Sequence, residues 1–196
     1  MRKNLKTNLT WFALILAIFL VLTVLINAGV LGIYYVQILM GIGISLIMAL
    51  GTNLVLGFSG QFSLGQAGFM AIGAYATAIF TKQNPTYAGF YLSMLIGVVL
   101  AALVALIVGF PTLRLKGDYL AIATLGVSEI IRIAIVNGGE LTNGAAGIMG
   151  ILQFTSWQLV FFFAVILIIL VMNYLRSPMG RQVIAVREDE IAAESM

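Results

Sequence analysis

The sequence predicts an all-α fold: a polytopic transmembrane helical bundle of about six spans, with a broken, polar segment between spans 2 and 3. Three observations predict it. Of 196 residues, 62% are hydrophobic and only 9% charged, whereas a soluble domain uses about a quarter of its residues as charge to cover its surface. From Thr7 to Thr81 no residue carries a formal charge, and one crossing requires only about 20 apolar residues. There are 21 glycines but no cysteine and no histidine, a composition of membrane helices rather than of catalytic domains.

The same composition excludes several functions. Without Cys and His there is no disulfide, no thiolate or imidazole metal site and no Cys or His nucleophile. No G-x-x-x-x-G-K-[ST] occurs, so the chain does not bind ATP through a P-loop of its own. No metal, cofactor or catalytic residue is expected. The net charge of +3 comes from basic residues scattered in short clusters between apolar runs, a topology signal rather than a nucleic-acid surface.

The spans follow in order. Arg2, Lys3 and Lys6 precede an apolar run from Trp11 to Asn27. It is longer than the core of a signal peptide and lacks a clean small-x-small cleavage site, so it is read as span 1. Span 2 runs from Val30 to Leu50. Span 3 is shorter, Phe69 to Phe80, and stops at Thr81-Lys82-Gln83-Asn84-Pro85. Span 4, Phe90 to Phe110, is closed by Pro111. Span 5, Tyr119 to Val136, is the weakest because it holds Glu129 and Arg132. Span 6 runs from Trp157 to Leu175. Residues 1–175 are thus expected to form a membrane domain and 176–196 a cytoplasmic segment.

Orientation follows from basic residues. With a cytoplasmic N-terminus, Arg2, Lys3, Lys6, Arg114, Lys116, Arg176, Arg181 and Arg187 all lie inside, and only Lys82 lies outside. Both termini of the chain are therefore expected in the cytoplasm, with the protein in the plasma membrane.

Four segments are not simply apolar. Gly51 to Gly68 carries Asn53, Ser59, Gln61, Ser63 and Gln66 among Gly57, Gly60, Gly65 and Gly68. Glycine at this density breaks a helix, and irregular backbone at membrane depth survives only when buried in protein or lining a wet cavity. Such breaks are where transporters place substrate or gating elements; an ordinary cytoplasmic loop is the alternative. Ala67, Ala71, Ala74 and Ala78 recur at i, i+4, i+7 and i+11, a small-residue face for helix packing.

Glu129 and Arg132 stand at i and i+3 in an otherwise apolar helix. A pair on one face offsets the several kcal/mol that a lone charge costs there, on the order of 3 kcal/mol or more. They are readable as a transport-coupling pair, as a structural lock, or as interfacial residues; the lock is favoured. Asn137 to Gly150 holds five glycines and one charge, Glu140, a flexible external connection. The tail, Arg176 to Met196, holds seven of the seventeen charged residues. Ser177-Pro178 is a helix start. Glu188-Asp189-Glu190 suits the beginning of a further short helix, followed by the apolar patch Ile191-Ala192-Ala193.

With these residues in view, a resemblance is visible. GFSGQFSLGQAGFMAIGAYATA (Gly57 to Ala78) resembles the signature of the branched-chain amino acid permeases of ABC importers, the LivH/LivM family. LRLKGDYLAIATLGVSEIIR (Leu113 to Arg132) is similar to its LivM branch, and NGAAGI (Asn143 to Ile148) to its Gly-rich loop. SPMGR followed by AVREDEIAAESM resembles the family's ATPase-contact loop. The resemblance covers most of the chain from Gly57 onward. Family members usually continue through a glycine and several further helices, so the chain is expected to be a truncated copy.

The resemblance implies a permease subunit for leucine, isoleucine, valine or a related small amide, not itself an enzyme. It implies a second homologous permease, two cytoplasmic ATPase subunits and an extracytoplasmic substrate-binding protein as partners, all around a lipid bilayer. It places ATPase contact on Arg187, Glu188, Asp189, Glu190, Ala192, Ala193 and Glu194. The alternatives are a stand-alone secondary transporter or channel, for which only Glu129 offers an ion site, and a non-transporting membrane assembly subunit.

Overall fold

The computed structural model describes residues 2–112, 114–115 and 117–188. Helices dominate, and no strand occurs among the described residues. In chain order they are α1 (Arg2–Asn27), α2 (Ile33–Asn53), α3 (Gln66–Gln83), α4 (Tyr87–Thr112), α5 (Asp118–Val136), α6 (Trp157–Arg176) and α7 (Pro178–Glu188). Five stretches are long and apolar enough to cross a membrane: Thr10–Asn27, Ile33–Phe58, Tyr87–Thr112, Asp118–Val136 and Trp157–Arg176. The chain is a multi-pass membrane protein.

Of the six expected spans, only the third falls short of that requirement. It is helical, as part of α3, but Gln66, Lys82 and Gln83 occupy the ends of an element only 18 residues long. Those three polar side chains leave it less apolar than the other five, which alone meet the requirement of length and composition.

The chain divides into two compact units. The first comprises Met1–Ile47 and Thr155–Met172. Here α1 packs through Phe19, whose ring lies 5.3 Å from that of Trp157 and 5.5 Å from that of Phe161. Trp157, Val160 and Ala164 form the buried row of α6. Opposite Val160 stands Gly43 of α2, where a methyl group would come within 2.5 Å of Val160 Cγ1. A glycine there lets two helix backbones approach closely, the membrane substitute for a hydrophobic driving force. α1 ends through Gly29 in the left-handed conformation (φ 72°), which a side chain would oppose.

The second unit comprises Met48–Phe154 and Asn173–Met196. Its centre is the antiparallel pair α3 and α4, turned by Asn84–Thr86. The Thr86 hydroxyl accepts from Gly89 N–H at 3.0 Å, capping α4. The two helices meet where a Cβ on Gly97 would lie 2.9 Å from Gly73 O and from Thr77 Oγ1. Ser93, only 2% exposed, returns its hydroxyl to Gly89 O at 2.6 Å and so needs no partner in the interface. α5 also packs on α3, with Gly68 facing Ser128. The connection between α5 and α6 forms two 3₁₀ turns, Gly139–Leu141 and Gly144–Ala146. Asn143, left-handed at φ 58°, donates from Nδ2 to Gly147 O at 2.7 Å. Phe154 then stacks against Phe90 and meets Tyr87 edge-on.

α6 gives way to α7 at a sharp corner. Ser177 Oγ donates to Tyr174 O at 2.6 Å and accepts from Gly180 N–H at 3.2 Å. Pro178 occupies the first helical position, as its missing N–H permits. Gly180 is buried against Tyr174 O and the Leu175 backbone, where no Cβ fits.

Candidate functional site

The polar, glycine-rich stretch is a structured helix break. α2 carries on beyond Leu50 to Asn53 and then widens into a π-helical turn, Leu54–Phe58. Residues 59–65 are not helical, and α3 begins at Gln66. A π turn inside a helix marks an extra residue in the coil and often accompanies a functional element. The widened turn is closed by Ser59 N–H to Leu54 O (3.3 Å), by Gln61 N–H to Val55 O (3.2 Å) and by Ser59 Oγ to Val55 O (2.5 Å). Ser59 is therefore engaged by the break itself.

Two neighbours hold this break. On one side α5 offers Thr124, buried, whose hydroxyl accepts from Leu64 N–H at 3.0 Å and donates to Ala121 O at 3.0 Å. The backbone at Gly65 lies against the same threonine, where a Cβ would be in ordinary contact with Thr124 Cβ at 3.5 Å. On the other side α7 offers Arg187, whose guanidinium donates to Gly57 O at 2.8 Å. Its aliphatic stem crosses Gly60, where a Cβ would stand 2.6 Å from Arg187 Cγ. Gly60 is also left-handed at φ 69°, a conformation that glycine adopts without steric cost.

The predicted polar residues distribute around this scaffold. Asn53 is exposed and its amide covers Gly57, while Gln61, Ser63 and Gln66 are half-buried. Among the described residues, the side chains of Asn53, Gln61, Ser63 and Gln66 take part in no hydrogen bond with one another or with a neighbour. Four polar groups thus stand on one short, pinned segment with their hydrogen-bonding capacity uncommitted inside the protein. The arrangement suits solvating a polar solute. It offers nothing for bond-making, and no cluster of His, Cys, Asp or Glu suited to a metal ion occurs among the described residues.

The other expected residues lie as follows. Ala67 and Ala74 are exposed and Ala71 and Ala78 half-buried; the tightest helix contacts use glycine instead, at Gly68 and at Gly97 opposite Gly73. Glu129 and Arg132 do pair: Arg132 Nε lies 3.0 and 2.9 Å from the two Glu129 carboxylate oxygens, with a further 2.5 Å contact from its terminal nitrogen. Their side chains are 50% and 65% exposed, so the pair is not buried between helices. Of the expected ATPase-contact residues, Arg187 and Glu188 close α7, paired with each other. Asp189, Glu190, Ala192, Ala193 and Glu194 lie outside the described residues.

Thr124 and Ser128 were not singled out from the sequence. Hydroxyls are frequent in membrane helices, and only the fold brings these two, about 60 residues downstream, onto Leu64 and Gly68.

Comparison with known proteins identifies the family of the chain. Residues 34–196 match the family described as branched-chain amino acid transport system, permease component. The chain is 36% identical to the high-affinity branched-chain amino acid transport system permease protein LivM of Escherichia coli (strain K12), over 65% of this chain. It is 37% identical to the protein of the same name from Salmonella typhimurium, again over 65% of this chain. The chain spans 38% of the length of each of these relatives. No solved structure matches it.

Proposed function

The chain belongs to the permease family of branched-chain amino acid transport systems, and from that premise we propose that it serves as a membrane permease subunit of an ATP-driven importer. The family match over residues 34–196 carries the reading. The substrate is leucine, isoleucine, valine or a related small amide. A second homologous permease completes the membrane part, two cytoplasmic ATPases bind below it, and an extracytoplasmic binding protein delivers the substrate.

In this reading the break at residues 53–66 lines the path. A solute with a charged amine and carboxylate must exchange its hydration for polar groups at membrane depth, where lipid offers none. Asn53, Gln61, Ser63 and Gln66 supply them, and Ser59, Thr124 and Arg187 hold the backbone that presents them. α3 counts as a crossing here. Its 18 residues span about 27 Å at 1.5 Å per residue, close to the roughly 30 Å hydrocarbon core. It runs antiparallel beside α4, and its polar ends then sit at the two interfaces. Six crossings and the basic-residue bias put both termini of the chain in the cytoplasm. α7 and the residues that follow, Arg187 to Glu194, dock onto the ATPase.

Co-expression with the candidate ATPases and a binding protein, purification, and reconstitution into liposomes test the proposal. ATP-dependent accumulation of radiolabelled leucine, isoleucine or valine is expected. A membrane fraction that retains no ATPase, or uptake indifferent to ATP, overturns it. Within the same assay Ala193→Trp is expected to reduce ATPase recovery without reducing membrane insertion.

A further inference from the structure

The geometry points to Arg187 as a positioning residue that ties the cytoplasmic helix α7 directly to the π-helical break and so carries ATPase movement to the path; this rests on the permease reading above. The guanidinium is divided between two partners. Its Nε lies 3.2 Å from Glu188 Oε1, with a second, closer contact from a terminal nitrogen, while the other terminal nitrogen donates to Gly57 O at 2.8 Å. The carboxylate on its own helix fixes the fork, and the remaining arm crosses to a backbone 130 residues away.

The receiving side is built for that arm. Gly57 lies near the end of the π turn, where carbonyls lose their intrahelical donors, and the arginine replaces one. A side chain at Gly57 would displace the Asn53 amide that covers it, and one at Gly60 would meet the stem of Arg187. The same glycine that accepts the cation is therefore packed under Asn53, one of the four uncommitted polar groups. A displacement of α7 shifts the Gly57 carbonyl, and with it the turn on which Asn53 sits. Arginine suits this role better than lysine, since its planar fork holds two partners at fixed angles.

The Arg187 neighbourhood also contains the expected ATPase contact, so coupling must be separated from docking. The test uses the reconstituted importer with Arg187→Ala and Arg187→Lys, reading three quantities: ATPase retained, ATP hydrolysed, and substrate accumulated per ATP. Expected for Arg187→Ala is substrate accumulated per ATP, measured on whatever ATPase is retained, falling roughly tenfold, the weight of one charge-assisted hydrogen bond. Arg187→Lys, which keeps one donor, is expected to fall between the two. Gly60→Ala, which obstructs the same arginine from the other side, should reproduce the loss. An unchanged ratio of accumulation to ATP in Arg187→Ala overturns the inference, and so does a parallel loss of ATPase recovery and uptake at constant ratio. If the parent chain retains no ATPase, the permease reading itself falls first, and the two failures are told apart by that control.

Discussion

Thr124 of α5 accepts a hydrogen bond from the backbone N–H of Leu64 at 3.0 Å and donates one to Ala121 O. One buried hydroxyl thereby joins a non-helical stretch of backbone to a regular helix. If the segment lies at membrane depth, as proposed, the Leu64 amide has no water to fall back on and this threonine is the partner that satisfies it.

Thr124→Val keeps the shape and removes the acceptor. It is expected to destabilise the purified protein by about 1–3 kcal/mol, the cost of a buried donor left alone. Thr124→Ser should retain most of the parent stability. Detergent thermal-shift curves decide it, and equal midpoints for Val and Ser variants would sink the assignment.

Gly68→Ala and Gly97→Ala push a methyl group against the Ser128 backbone and the Gly73 carbonyl, each 2.9 Å from the new carbon. Overpacking of this kind costs roughly 1–3 kcal/mol. Gly41→Ala and Gly109→Ala, where nothing lies within 4 Å, are expected to change stability little. A melting series that ranks all four alike would contradict the close approach of α3 with α4 and α5.

Glu129 and Arg132 offer a pairwise test. Neutralising either one leaves its partner uncompensated in a membrane-crossing helix, so Glu129→Gln and Arg132→Gln should each lower the yield of folded protein severalfold. The double variant is expected to recover toward the parent level. Transport retained in the double variant supports a lock; transport lost with full yield assigns the pair to coupling.

Topology is accessible because the chain has no cysteine. Single cysteines at Asn84 and Gly144 should react with an impermeant thiol reagent added to intact cells, and one at Arg181 should react only after permeabilisation. Labelling of Arg181→Cys from outside reverses the proposed orientation.

Gln61→Leu, with its amide replaced by an apolar group of similar length, is expected to reduce uptake at least about tenfold while leaving assembly with the ATPase intact. Asn53→Leu and Gln66→Leu serve as companions. Uptake that is indifferent to all three would return the segment to the status of a connecting loop.

Much of the fold was legible because membrane helices follow apolar run length. The spans at 90–110, 119–136 and 157–175 reappear as α4, α5 and α6 with end shifts of three residues or fewer, and that at 11–27 lies within the longer α1, which starts nine residues earlier. The helix start at Ser177-Pro178 was legible from capping chemistry. α3 was harder, since polar ends on a short helix weaken the hydropathy signal that identifies a crossing. The site was legible in part. Glycines at 57, 60, 65 and 68 announce a break, but the reason for each lies in Asn53, Arg187, Thr124 or Ser128. Those are contacts across space that periodicity does not encode. The alanine row shows the same limit from the other side. Its spacing marks a small-residue face, while the closest approaches fall at the neighbouring Gly68 and at Gly73.

The corner at Ser177 has a mechanical meaning. Between Arg176 and Pro178 there is a single residue, and its hydroxyl bonds both to the end of α6 and to the start of α7. A hinge needs slack, and here Gly180 is wedged against the Leu175 backbone with no space even for a methyl group. Torque applied to α7 is accordingly not dissipated at the elbow. It would turn the last residues of α6 about their own axis, as a crank turns a shaft.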